Sequence, residues 1–310
     1  MKHFFTLFST LLFLTSISAQ PQNGEPIYNR DYANSVIYFS VEQASEATTT
    51  VELLNLRNKE LTAVPKGINQ FSNLKFLNLM KNSLTTIDVE IFECNELKEL
   101  NLRQNKILEL PKEVGQLKEL EILNASKNQF KTLPAEISNL QEIKLIHLVQ
   151  NKLTALPEEM GKLKTLNTLD IDQNKLSTFP NSFKKLKSLR LLAASQNQFS
   201  EFPESICKLK KLETINLDKN QIIVLSSNVK KLKGLTTLSL SDNNIQILPK
   251  ELSKLKNIQL LNLANNQLTA LPEDLSNWTS LKTLILIGNK LSQQEQKRIT
   301  TALPNTDIRF

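Results

Sequence analysis

The sequence predicts an α/β solenoid: a horseshoe with a concave parallel β-sheet and a convex side of short helices or 3-10 turns. Two observations predict it. Ten asparagines, from Asn82 through Asn105, Asn128, Asn151, Asn174, Asn197, Asn220, Asn243 and Asn266 to Asn289, stand 23 residues apart, and Lys59 holds the register position one period earlier. Around each lies the frame L-x-x-L-x-L-x-x-N-x-L-x-x-L-P, as in Leu166, Leu169, Ile171, Asn174, Leu176, Phe179 and Pro180. A fixed period of this length marks stacked repeats, because one unit cannot bury its apolar face alone.

The elements follow in chain order. Lys2, the apolar run Phe4 to Ile17 and the small residues Ser16, Ser18 and Ala19 read as a secretory signal peptide over residues 1–19. The alternative, an uncleaved anchor, needs about 20 apolar residues to span a membrane, more than this run supplies. Residues 20–50 form an N-terminal segment and cap. Positions 20–39 look irregular, and Ser40 with Gln43 matches a capping box in front of a helix with Val41, Ala44 and Ala47 on its apolar face.

Residues 51–291 hold eleven repeats. In each, L-x-x-L-x-L is a short strand with its leucines facing inward. The frame asparagine follows, where its amide can pair backbone groups that the bend leaves open. A proline recurs at one frame position (Pro111, Pro134, Pro157 and their equivalents), where it suits the start of a helix. Acids and then lysines come after it, in the order the helix dipole favours. Asp88 and Ser226 replace the proline in repeats two and eight, so irregular backbone is expected there. Residues 292–310 read as a helix–strand cap: Ser292 with Glu295 forms the capping box, Ile299, Ala302 and Leu303 the apolar face, and Ile308 and Phe310 a closing strand. These parts leave no stretch for a catalytic domain.

This frame resembles leucine-rich repeat proteins, and the resemblance covers residues 51–291. The 23-residue form with L-P-x-x-I-x-x-L-x-x-L is similar to repeats of scaffold proteins inside cells and of proteins exported by bacteria; the signal peptide selects the second group. Many extracellular animal members carry cysteine clusters at both ends, which this chain lacks, again pointing to a bacterial origin. The resemblance implies protein–protein recognition, in some members of host-cell surface receptors, as in the internalins.

Charge and cysteines narrow the classes. The sequence carries 38 basic and 31 acidic residues, a net of +7, which favours acidic partners or anionic surfaces. One tryptophan and no aromatic–basic motif argue against nucleic acid. Cys94 and Cys207 lie five turns apart, roughly 24 Å at about 4.8 Å per strand, too far for a disulfide. Cys94 replaces a frame leucine and should be buried. Cys207, aligned with Gly115, Gly161 and Lys230, should be exposed.

Function in such a fold rests on outward residues of the concave strands. Phe76, Met80, Ile122, Leu145 and Val149 place apolar groups there in repeats two to five, with Arg57, Lys81, Arg103 and Lys127 around them. An apolar patch rimmed by charge marks a partner-binding surface; scattered exposed apolar residues are the bland alternative. Farther along, His147 lies beside Asp170, with Asp172 near, either as a surface pair or as ligands of a divalent metal, for which the spacing is not diagnostic. Lysines at two frame positions, Lys162 to Lys254 and Lys118 to Lys256, line the far side: helix-end charge, or a surface for an anionic polymer. His147 and Cys207 fall on opposite faces and six scattered glycines form no phosphate loop, so no catalytic site or cofactor is expected. The expected protein is a non-enzymatic secreted or cell-surface module, the periplasm being a further destination, that binds a protein on its concave face. The alternative is an envelope-associated structural or polymer-binding protein that uses its lysine-rich side.

Overall fold

The computed structural model describes residues 35–310; the expected signal peptide and residues 20–34 lie outside the described residues. A short strand, β1 (Ile37–Tyr38), comes first, in a segment expected to be irregular. Each repeat then contributes a three-residue strand, from β2 (Leu53–Asn55) at every 23-residue step to β12 (Thr283–Ile285). β13 (Asp307–Arg309) closes the series. The thirteen strands form one parallel sheet in sequence order, so each turn packs only against its neighbours. Register is strict: Leu169 pairs with Ile146 on one side and Leu192 on the other, and all three are fully buried.

The asparagine ladder is the backbone scaffold of the coil. Asn174 Nδ2 donates to the carbonyls of Leu148 and Ile171, both at 3.0 Å, and Asn174 Oδ1 accepts from Leu153 N at 3.1 Å. The same pattern recurs from Asn82 to Asn289. One feature was not legible in the frame. The residue before each asparagine is left-handed, with φ of 57° at Lys81, 58° at Gln104 and 57° at Lys127, and the position carries glycine only at Gly288. The backbone bonds of the bend hold these ordinary residues in a region L-residues rarely enter.

On the convex side, repeats two to nine each carry a five-residue 3-10 turn, from Val89–Glu93 to Lys250–Lys254. The recurrent proline sits just before the turn as its cap, one position earlier than expected; Pro111 has φ −61° and ψ 148°. Repeats two and eight are as regular as the rest, contrary to expectation. Asp88 and Ser226 substitute for proline by accepting side-chain hydrogen bonds from Glu90 N and Asn228 N. The irregular turns are instead the first, which starts after the left-handed Gly67, and the tenth, where no 3-10 turn follows Pro272.

Close approach of successive turns also corrects the expectation for Cys207, which is buried (1% exposed). Its frame position faces the next turn: a Cβ added at Gly161 would lie 2.5 Å from Ser182 Cβ and 2.6 Å from its carbonyl oxygen. At Gly115 and Gly161 the next turn passes too close for a side chain, whereas the same position buries Phe92 in repeat two and Cys207 in repeat seven. Burial pushes the Cys207 thiol up to about 12 and that of Cys94, also buried, to about 11.

Both ends are capped. Helix α1 (Val41–Ser45) buries Val41 and Ala44, with Ser40 accepting from Gln43 N. Helix α2 (Gln293–Ala302) begins at Ser292, which accepts from Glu295 N. The Glu295 carboxylate does not return to Ser292; it accepts from Leu271 N at 2.9 Å and holds Arg298. Ile299 and Leu303 are buried, whereas Ala302 is exposed and Phe310 is 41% exposed, so the apolar face is narrower than expected. Trp278 is buried in the tenth repeat, donating to the Leu252 carbonyl.

Candidate concave binding site

The sheet brings the outward residues of consecutive repeats into rows, with neighbours in a row about 4.8 Å apart. Ile122 stands beside Leu145 in register, and Val149 lies two rows away, beyond His147, with its N–H on Ser126 Oγ. All three are half-buried, as a contact surface requires. Phe76 and Met80, expected to project as anchors, do not: they are 2% and 6% exposed. Phe76 stands in its row between Leu53 and Glu99, both buried, and side chains on adjacent strands of a concave sheet converge and cover one another. These two belong to the packed floor beneath the site.

The basic residues hold their expected places. Arg57 and Lys127 are half-buried and Lys81 is exposed; among the described residues none of the three has a carboxylate within ion-pair distance. Arg103, half-buried, has its pKa lowered by burial and then by the positive charge of Arg57. Arg57, Lys59 and Lys81 line a cleft of about 390 Å³ with Asn55, Asn58 and Phe39. Phe39, 48% exposed, extends the site onto the N-terminal cap. Nothing in the repeat pattern signals it, because it precedes the first repeat.

A second row of asparagines, Asn55, Asn78, Asn101, Asn124, Asn216 and Asn262, faces the concave side for structural reasons. Each accepts from the N–H two residues on, as Asn101 Oδ1 does from Arg103 N at 3.1 Å, which fixes the backbone of the row beyond it. Their recurrence at the frame spacing was the available signal.

In repeats five to eight the charge changes sign. His147 Nδ1 lies 3.4 Å from Asp170 Oδ2, and Asp170 is 3% exposed. Asp172 is pushed up to about 7 by burial, by Asp170 and by Asp218, against hydrogen bonds from Ser195. Asp218 is also raised, chiefly by burial. Among the described residues no three His, Cys, Asp or Glu side chains are placed to hold a metal ion, so His147, Asp170 and Asp172 do not assemble into a metal centre there. The convex lysines Lys162, Lys185, Lys208, Lys231 and Lys254 are all exposed. Larger exposed apolar side chains sit on the flank, where Ile223 and Val224 are each 52% and Ile247 is 71% exposed.

Two family models match the chain: a leucine-rich repeat region over residues 136–221, and leucine-rich repeats over 72–130, 210–268 and 233–291. The chain is a leucine-rich repeat protein. No curated protein matches it. Among solved structures, this leucine-rich repeat protein is similar to the functional domain of InlJ from Listeria monocytogenes, with 24% identity and a TM-score of 0.69 over 86% of this chain and 54% of that one. It is similar to the internalin InlF from the same organism, at 22% identity and TM-score 0.63, over 80% of this chain and 77% of InlF. The ectodomain of the plant receptor kinase GASSHO1/SCHENGEN3 from Arabidopsis thaliana, in complex with CASPARIAN STRIP INTEGRITY FACTOR 2, shares 24% identity and a TM-score of 0.65 over 97% of this chain, which spans 44% of it. Leucine-rich repeat proteins are in general non-enzymatic protein-binding modules. Among the described residues no helix is long and apolar enough to cross a membrane.

Proposed function

We propose that this protein is an exported, non-enzymatic recognition module of bacterial origin that binds a protein, a host-cell surface receptor in the sharpest form of the reading, on its concave face. The observation that carries it is the half-buried apolar trio Ile122, Leu145 and Val149 on the same face as Arg57, Lys81 and Lys127, cations with no carboxylate within ion-pair distance among the described residues. Apolar side chains left half-covered on a rigid sheet supply the desolvated contacts that dominate interface energies. The cations would orient an acidic partner and speed its association. Export rests on the apolar segment Phe4 to Ile17 with Ala19, and the signal peptide 1–19, the segment and cap 20–50, the repeats 51–291 and the cap 292–310 are the proposed divisions.

The second reading is the exposed lysine row of the convex side, as a surface for an anionic polymer. A photo-reactive benzophenone side chain placed at Leu145 or at Lys208 separates the two. Cross-linking of a cell-surface protein from Leu145 alone supports the concave site; cross-linking from Lys208 alone moves the function to the convex side.

A further inference from the structure

The N-terminal end of the concave face departs from the frame at one residue. Where the ten later repeats carry the ladder asparagine, the first carries Lys59. The Leu56 carbonyl that an asparagine there would share is taken by Asn82 Nδ2 at 2.9 Å, and an ammonium has no acceptor for the N–H groups of the bend. Lys59 is exposed, with left-handed backbone on both sides, φ 56° at Asn58 and 57° at Glu60; the second recurs in no other repeat among the described residues. Its side chain lines the cleft of about 390 Å³ with Arg57 and Lys81, and that volume lies at the low end of the roughly 300–1,000 Å³ of ligand clefts. The three cations come from two successive turns, and among the described residues none has a carboxylate within ion-pair distance. The backbone beneath them is fixed. Arg57 N donates to Asn55 Oδ1 at 3.2 Å, Lys59 N to Asn82 Oδ1 at 2.9 Å and Lys81 N to the Arg103 carbonyl at 2.9 Å. Tyr38 pairs with Leu54, so Phe39 comes next to Asn55 and brings a ring 48% exposed to the wall of the cleft.

We propose that this cleft binds a small-molecule phosphate monoester, its phosphate among Arg57, Lys59 and Lys81 and its organic part against Phe39. Three cations around one cleft call for more than a single negative charge. A phosphate monoester brings a charge of about −1.5 to −2 and three terminal oxygens, whereas a carboxylate brings one charge and two oxygens. The guanidinium fork of Arg57 matches two phosphate oxygens, and the lysine ammoniums act as point charges on the rest. Arg103 adds to the positive field from behind, since the charge of Arg57 lowers its pKa after burial does. The Phe39 ring gives the carbon side of an ester an apolar contact that free phosphate cannot use. The cleft has room for one ring and its phosphate, and none for a strand or helix of a protein. The site shares the concave face with the trio and does not rest on the protein-binding reading; Leu145 is four strands on, or about 19 Å.

Phenyl phosphate is the probe, followed by its phosphorus NMR signal at low ionic strength. Wild type should bind it about tenfold more tightly than the Lys59→Gln, Lys81→Gln pair, the equivalent of one charged hydrogen bond. The convex pair Lys185→Gln, Lys208→Gln, with the same change in net charge, should stay within about twofold of wild type. Affinity should fall as pH drops through about 6, where the monoester takes up a proton. Inorganic phosphate and benzoate should displace the probe only at several-fold higher concentration. Phe39→Ser should remove the advantage of phenyl phosphate over inorganic phosphate and leave the latter's affinity unchanged. Equal loss in both lysine pairs would reduce the effect to general attraction and overturn the site. Benzoate as effective as the probe would overturn the phosphate reading, and inorganic phosphate as tight as the probe in wild type would overturn the organic ligand. The Leu145→Ser, Val149→Ser variant should bind phenyl phosphate as wild type does. Wild type that fails to bind phenyl phosphate, while that variant loses its protein partner, leaves the concave reading standing and removes only this one.

Discussion

Replacing Asn174 with alanine tests what holds the coil together. The side chain makes four hydrogen bonds: Nδ2 to the carbonyls of Leu148, Ile171 and Asp172, and Oδ1 from Leu153 N. The losses are unequal. The Leu148 carbonyl keeps Asn151 Nδ2, that of Ile171 keeps Asn197 Nδ2, and that of Asp172 keeps Gln150 N, because successive asparagines share acceptors. Leu153 N–H, by contrast, has Asn174 as its partner and is left orphaned inside the stack. An orphaned buried donor costs about 1–3 kcal/mol and each lost bond about 0.5–1.5 kcal/mol net. With the carbonyls partly compensated, the expected loss is about 2–4 kcal/mol. Asn174→Asp should cost at least as much at neutral pH, since a carboxylate would face three carbonyls, and part of that cost should vanish in acid, where protonation restores a donor. Urea unfolding followed by circular dichroism measures both, with Trp278 fluorescence as a second probe of cooperativity along the stack. A loss under about 0.5 kcal/mol for the alanine variant, below the value of even one net hydrogen bond, would refute the account of the ladder.

Three further outcomes follow from the packing. Cys94 and Cys207 should both resist a disulfide-exchange reagent in the native protein and react together on unfolding, since burial raises both thiols; rapid modification of Cys207 would contradict its place between turns. Gly161→Ala should destabilise by about 1–3 kcal/mol through overpacking, as its methyl would meet Ser182, and an unchanged melting temperature would mean the turns are farther apart than described. For Asp172, whose folded pKa of about 7 lies above its ordinary value of 3.8, the native state binds the extra proton between those values, so its contribution falls as pH rises from about 4 to about 7. Asp172→Asn should therefore stabilise the protein at neutral pH, by at most about 4 kcal/mol, the free-energy equivalent of a pKa moved from 3.8 to about 7. It should also flatten that part of the pH profile; destabilisation at pH 7 would overturn the assignment.

The sequence made some features plain because they repeat and left others hidden because they depend on neighbours. Asn174 and its equivalents announced the period, the ladder and the strand register, and Ser292 with Glu295 announced the last helix. The left-handed residues before each asparagine could not be seen, since Lys81, Gln104 and Gln150 are not residues that signal positive φ. Burial of Cys207 depends on how closely the next turn passes, and burial of Phe76 on the curvature of the sheet and on Leu53 and Glu99 beside it. At the candidate site the sequence told that Arg57, Ile122, Leu145 and Val149 face the concave side, where they stay half-covered. The site's floor and its extension to Phe39 were not legible, because single-residue alternation tells which face a side chain occupies and says nothing of how deeply it is covered.

The central claim is that the concave face, and neither the lysine row nor the apolar flank, is where a protein partner binds. The most direct measurement is the dissociation constant of one cross-linked partner for three variants side by side: Leu145→Ser with Val149→Ser, Lys185→Glu with Lys208→Glu and Lys231→Glu, and Val224→Asp with Ile247→Asp. The concave pair should weaken binding at least thirtyfold, taking an interface anchor at about 2 kcal/mol or more, while the other two stay within about threefold, the effect of rim or remote changes. Loss of binding in the lysine or flank variant with the concave pair unchanged would contradict the account.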